Sequence, residues 1–172
     1  GFEIYVEPQQ AEFIWEEIIR AGQELVSPIG LGARDSLRFE AKLPLYGQEI
    51  DQDITPLEAG LGFFVKLEAG DFIGRTALIQ QKQEGLKRKL VEFSMLGKGI
   101  PRSHYEVEVD GMPVGHVSSG MYSPTFKKPI GLALLNIEHC EPGSEIDIII
   151  RNQPVKARVE KGIFYRKKTK SK

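Results

Sequence analysis

The chain has 172 residues, of which 41% are hydrophobic, 9% aromatic and 27% charged, so a disordered, collagen-like or disulfide-scaffold protein is excluded. Its single cysteine, Cys140, rules out an internal disulfide and fits a reducing compartment. The net charge of −1 hides an asymmetry: residues 1–60 hold 12 acidic and 4 basic side chains, whereas residues 61–172 hold 12 and 19.

The N-terminal run GFEIYV predicts a strand already under way, as in a piece of a longer protein. No basic and apolar leader is visible, and no apolar run approaches the ~20 residues needed to span a bilayer. Pro8 suits the first turn of a helix. Ala11, Ile14, Trp15, Ile18, Ala21 and Leu25 then recur at helical spacing, with Glu12, Glu16 and Glu17 on the other side. A short helix is expected over residues 33–41, stopped by Pro44. Thr55-Pro56-Leu57-Glu58 has the pattern of a capping box and predicts a further helix start. Residues 63–67 (FFVKL) predict a strand, and residues 73–84 an amphipathic helix closed by Gly85.

Beyond Gly85 the period changes from helical to alternating. Residues 90–93, 105–109, 114–119, 130–135, 145–151 and 155–159 are strand candidates, and Asp110-Gly111 is a hairpin signal because its turn needs positive φ. Short connections and no helix predict a small sandwich or barrel. The chain is therefore expected to divide near residue 85, into an α+β piece (1–85) and an all-β module (86–172) with a basic tail.

Familiar catalytic signatures are absent: there is no P-loop, GxSxG elbow or HExxH. His104, His116 and His139 have no metal-ligand spacing, and no metal is expected. Cys140, between Glu138 and Glu141, lacks a basic neighbour to activate it and predicts an inert thiol. The GLGARD run is only half of a dinucleotide fingerprint. The tail cations, Arg166, Lys167, Lys168, Lys170 and Lys172, have no interleaved aromatics for base stacking, so a solvated terminus is expected rather than a nucleic-acid surface. Asp35 fits the favourable electrostatics of a helix start, while Arg34 could serve either a structural ion pair or a ligand carboxylate.

The ordered runs GLGARDSLRFEAKLPLYGQEID, TPLEAGLGFFVKL, DFIGRTAL, GIPRSHYEVEVDG, GHVSSGMYSPTFKKPIGLA and PGSEIDI closely resemble the glycine cleavage system aminomethyltransferases, the T-proteins. The resemblance covers essentially the whole chain, as the C-terminal half of such an enzyme. It implies part of a ferredoxin-like α+β domain followed by a small β-barrel, taken from a three-domain clover-leaf around a folate channel. It also implies that a one-carbon unit passes from an aminomethylated lipoyl group on H-protein to tetrahydrofolate, with release of ammonia.

On this resemblance Glu3 and Arg34 match folate-binding positions, Arg166 is a looser third match, and Phe63 or Phe64 could wall the pocket. A Glu3 carboxylate can accept hydrogen bonds from pterin N–H groups. The key aspartate belongs to the half that this chain lacks, so no catalytic residue is expected here and the chain alone should be inactive. The resemblance implies the bacterial cytoplasm, or the mitochondrial matrix in a eukaryote, and no membrane. Strand edges left unpaired would favour self-association of the isolated chain. Two other readings stand beside it: a folate-binding domain from a sarcosine or dimethylglycine dehydrogenase or an iron–sulfur maintenance relative, and a non-enzymatic barrel module.

Overall fold

The computed structural model describes residues 2–162 and residue 164. The chain forms two compact units, Gly1–Arg34 and Asp35–Lys172.

In the first unit, residues 2–7 are extended but belong to no ladder among the described residues. The expected opening strand is therefore not formed: its alternating side chains have no neighbouring backbone to pair with. A 3-10 turn at Pro8–Gln10 leads into helix α1 (Ala11–Gly22), as Pro8 and the apolar spacing predicted. A second 3-10 turn follows at Gln23–Leu25. No described residue of these elements is fully buried, and Phe2, Tyr5, Phe13, Trp15 and Leu25 are all exposed.

Helix α2 (Leu31–Glu40) contributes residues to both units. The expected helix start at Thr55 is a single turn instead. Its capping box is real, since the Thr55 amide donates to the Glu58 carboxylate (2.9 Å) and the Glu58 amide to the Thr55 hydroxyl (3.3 Å). The chain leaves the helical path at Gly60, whose φ of +74° only glycine adopts readily. The strand expected over residues 63–67 is likewise replaced, by a 3-10 turn at Gly62–Phe64. There the amides of Phe64 and Val65 donate back to Leu61 and Gly62, so local turn bonds win over β propensity. Helix α3 (Arg75–Glu84) ends at Gly85, with φ of +85°.

The remaining strands are β1 (Arg88–Met95), β2 (Glu106–Val109), β3 (Met112–Ser123), β4 (Lys128–Asn136), β5 (Glu145–Ile150) and β6 (Gln153–Glu160). They close into an antiparallel barrel in the order β1-β4-β3-β2-β5-β6. Each overlaps one of the predicted segments, with β2 starting one residue after the expected 105–109 begins and β5 ending one residue before the expected 145–151 does. The β2–β3 hairpin turns at Asp110 and Gly111, both with positive φ, and the β5–β6 hairpin at Arg151 and Asn152. Together with the helices this is an α+β chain ending in a small barrel.

Alternation assigns each face. Val91 and Phe93 of β1, Val107 of β2, Val117 of β3, Ala133 and Leu135 of β4, Ile146 and Ile148 of β5, and Ala157 and Val159 of β6 form the interior core. Strand β4 is apolar on its outer face as well. Ile130 and Leu132 pack with Leu90, Phe39 and Phe164, while Leu134 packs with Ile54 and Ala59. An antiparallel barrel strand usually keeps one polar face; here α2 and the loop after it cover that face, so it too can be hydrophobic.

Candidate functional site

The most heavily bonded polar cluster lies on this covered side of the barrel. Strand β3 carries a bulge between Val117 and Ser119, so that Ser118 is extra relative to β4. The bulge turns two consecutive hydroxyls to useful partners, as such irregularities do. Ser118 donates to Oε1 of Glu49 (3.0 Å), and Ser119 accepts from Nη2 of Arg38 (2.9 Å). Arg38, on α2, also donates through Nη1 to Oε2 of Glu49 and through Nε to Asp35, each at 2.7 Å. The Leu45 amide supplies a further bond to Glu49 (3.0 Å), which is only 1% exposed. Every oxygen of this buried carboxylate therefore has partners, the condition under which a buried ion pair is tolerated.

A second buried carboxylate, Glu40 at the end of α2, receives the hydroxyls of Ser123 and Thr125 and the Thr125 amide (3.0 Å). Burial alone would raise the Glu40 carboxyl, but these bonds outweigh it and hold the group below the ordinary carboxylate range. Its contribution to stability is thus fully present above the unfolded carboxyl's pKa and is lost as pH falls through the lower folded value. Thr125→Val, which keeps the shape and removes one donor, is expected to cost about 1 kcal/mol at neutral pH and to move acid unfolding to higher pH, measured by far-UV circular dichroism during an acid titration. Glu58 behaves similarly. Burial raises its carboxyl, but the Thr55 amide, Arg88 and the Thr55 hydroxyl together lower it.

The residues singled out by sequence lie elsewhere. Glu3 is exposed on the extended segment, and its carboxylate accepts the Tyr5 hydroxyl at 2.7 Å. Arg34 is exposed in the first turn of α2, where its amide donates to the Gly30 carbonyl (3.1 Å). Phe63 is 79% exposed, with its ring edge-on to Phe64 at 5.4 Å and the Lys66 ammonium 4.5 Å above it. Arg166 lies outside the described residues.

Two of the cavities in the second unit are lined in part by α3. One, of about 550 Å³, is lined by polar groups including Glu58, Gln80, Gln81, Lys87 and Arg88. The other, of about 400 Å³, is apolar and lined by Leu57, Val65, Leu67 and Leu86. Neither includes Glu3, Arg34 or Phe63.

Burial, followed by the charge of His104, depresses the His116 imidazole, so it is neutral at physiological pH. Among the described residues no group of three or more His, Cys, Asp or Glu is placed to hold a metal, and no helix is long and apolar enough to cross a membrane. Cys140 is half-buried, and its thiol lies 3.3 Å from the Asn136 carbonyl. Burial raises its pKa, as expected for an inert thiol.

Sequence reasoning missed Tyr5 and the Arg38–Glu49 pair. Arg34 and Arg38 are four residues apart, a spacing that puts both on one side of a helix and could have directed attention to the second arginine. Nothing local marks Glu49 as its partner, because the two lie 11 residues apart, across the end of α2 and the irregular chain after it.

The comparisons with known proteins converge. The family model described as the GCVT N-terminal domain matches residues 1–69, and that described as the glycine cleavage T-protein C-terminal barrel domain matches residues 88–166. An aminomethyltransferase from Caldanaerobacter subterraneus subsp. tengcongensis is 56% identical over 99% of this chain and 46% of its own length. One from Alkaliphilus metalliredigens is 56% identical over 99% of this chain and 47% of its own. The crystal structure of glycine cleavage system aminomethyltransferase T from Bartonella henselae superposes with a TM-score of 0.82 at 28% identity, covering 91% of this chain and 44% of that one. The chain thus spans about half the length of the curated relatives it matches. In sequence and in fold, it belongs to the glycine cleavage T-protein family and corresponds to the C-terminal half.

Proposed function

We propose that this chain is the C-terminal part of a tetrahydrofolate-dependent aminomethyltransferase. In this reading, the one-carbon unit on the aminomethylated lipoyl arm of H-protein passes to tetrahydrofolate, giving methylene-tetrahydrofolate, ammonia and the reduced lipoyl group. The observation that carries the reading is the ordered match of two T-protein family models along one chain, with curated aminomethyltransferases 56% identical to it.

The proposed roles follow from the chemistry of each group. Glu3, an acceptor-only carboxylate, takes the N–H groups of the pterin. Arg34 offers a planar, permanently charged fork to a carboxylate of the folate glutamate. Phe63 supplies a flat apolar wall, and Arg166 a second cation for the same ligand. No residue of this chain is assigned the chemical step, so the isolated chain is inactive. The net +7 of residues 61–172 suits an acidic carrier such as H-protein. The bacterial sources of the relatives support a place in the bacterial cytoplasm.

The test is calorimetric titration of tetrahydrofolate into the isolated chain and into the full-length polypeptide. Binding is expected with the full-length protein, weakened about tenfold or more by Arg34→Ala, since a charged hydrogen-bonding partner is lost. No binding by either would sink the reading, and unchanged affinity in the variant would remove Arg34 from it. Sedimentation of the same samples reports self-association of the isolated chain, which the exposed Phe13, Trp15 and Leu25 favour.

A further inference from the structure

We propose that Tyr5 is a positioning residue for folate recognition, its hydroxyl fixing the Glu3 carboxylate in the orientation that receives the pterin. The inference rests on the reading of Glu3 given above. On the extended backbone of residues 2–7, positions i and i+2 project to the same side, which brings the phenol of Tyr5 beside the carboxylate of Glu3. The hydroxyl donates to Oε2 at 2.7 Å, a length typical of a bond to an ionised acceptor.

The ring of Tyr5 is 87% exposed, so this bond rather than packing gives the residue its constraint. That bond also raises the phenol above its ordinary pKa, so it remains a donor throughout the neutral range. A glutamate on an exposed, unpaired segment otherwise samples many rotamers. Every one of them except the binding orientation must be given up when a ligand arrives. A carboxylate offers about four lone-pair sites. Tyr5 occupies one of those on Oε2, leaving both oxygens able to accept the two parallel N–H groups of a pterin edge. The hydroxyl thus orders the acceptor before binding without consuming its capacity, which is preorganisation in its simplest form.

The test is a double-mutant cycle in the full-length polypeptide, read by tetrahydrofolate affinity and by steady-state KM and kcat. Tyr5→Phe keeps the ring and removes the donor. It is expected to weaken tetrahydrofolate binding about three- to tenfold, with the change in KM rather than in kcat. In a Glu3→Ala background the same substitution is expected to do nothing further, because the group it acts through is gone. Equal losses from Tyr5→Phe with and without Glu3 would mean that the phenol acts independently, and would overturn the proposal. So would unchanged affinity in Tyr5→Phe when Glu3→Ala alone weakens binding, a result that leaves the role of Glu3 standing. No effect from Glu3→Ala would remove the role of Glu3 and the proposal with it.

Discussion

Glu49→Ala is expected to destabilise the second unit by about 3–5 kcal/mol, seen as a lower urea midpoint with unchanged slope. The substitution does not merely delete contacts. It leaves the Arg38 guanidinium, whose side chain is 11% exposed, with only the more exposed Asp35 carboxylate as counter-ion, strands the Leu45 amide, and leaves the Ser118 hydroxyl with the Leu132 carbonyl alone (3.3 Å). A buried cation left with only a half-exposed carboxylate to compensate it costs more than the intact pair ever contributed. The same logic predicts that replacing both partners by apolar residues of similar volume, Arg38→Met with Glu49→Leu, recovers most of the loss. A cost below about 1 kcal/mol for Glu49→Ala would mean that water reaches the pair and screens it as it does a surface ion pair.

Phe93→Ala is expected to cost a similar amount, about 3–5 kcal/mol, by emptying the centre of the barrel. Phe93 on β1 faces Gly131 on β4 across the ladder, and its ring fills the space that a side chain at 131 would take. A Cβ built at Gly131 would stand 2.2 Å from Cζ of Phe93. The two positions are therefore one packing unit, a large ring over a missing side chain. Gly131→Ala alone is expected to destabilise by about 1–3 kcal/mol through overpacking. Combined with Phe93→Leu, which shortens the group it meets, it should cost less than the sum of the two single changes, measured by thermal or urea unfolding. Strict additivity would show that the ring does not depend on the glycine.

The barrel was legible in the sequence because its information is local. Alternation in β2, β5 and β6, the hairpin glycine at Gly111 and the apolar run of β4 each declare themselves within a few residues. The segments that misled were those whose outcome depends on neighbours. GFEIYV has strand composition, yet a strand exists only beside another, and residues 2–7 have none among the described residues. The run Phe63 to Leu67 has high β propensity, but the glycines at 60 and 62 admit turn bonds that capture its first residues. At Thr55 the capping bonds form but only a single turn follows, because a cap says where a helix can start and nothing about how far it runs.

For the candidate site, Glu3 and Arg34 came from family resemblance. Composition and spacing alone left Arg34 open between an ion pair and a ligand contact, and gave Glu3 no role at all. The buried network of Arg38, Glu49, Ser118 and Ser119 joins positions up to 81 residues apart in sequence, and a bulge that no turn residue announces creates its geometry. Such contacts belong to the tertiary fold and have no one-dimensional signature.

Strand β4 has a practical bearing on how this protein can be dissected. A truncation beginning at residue 86 would appear to release a self-sufficient barrel, since all six strands lie beyond it. It would also strip Phe39, Ile54 and Ala59 from Ile130, Leu132 and Leu134, leaving a greasy stripe along the outside of a closed cylinder. A trimmed protein of this kind would keep its strand pairing and lose its solubility. A usable cut must fall on the N-terminal side of Phe39, so that the barrel carries its own cover with it.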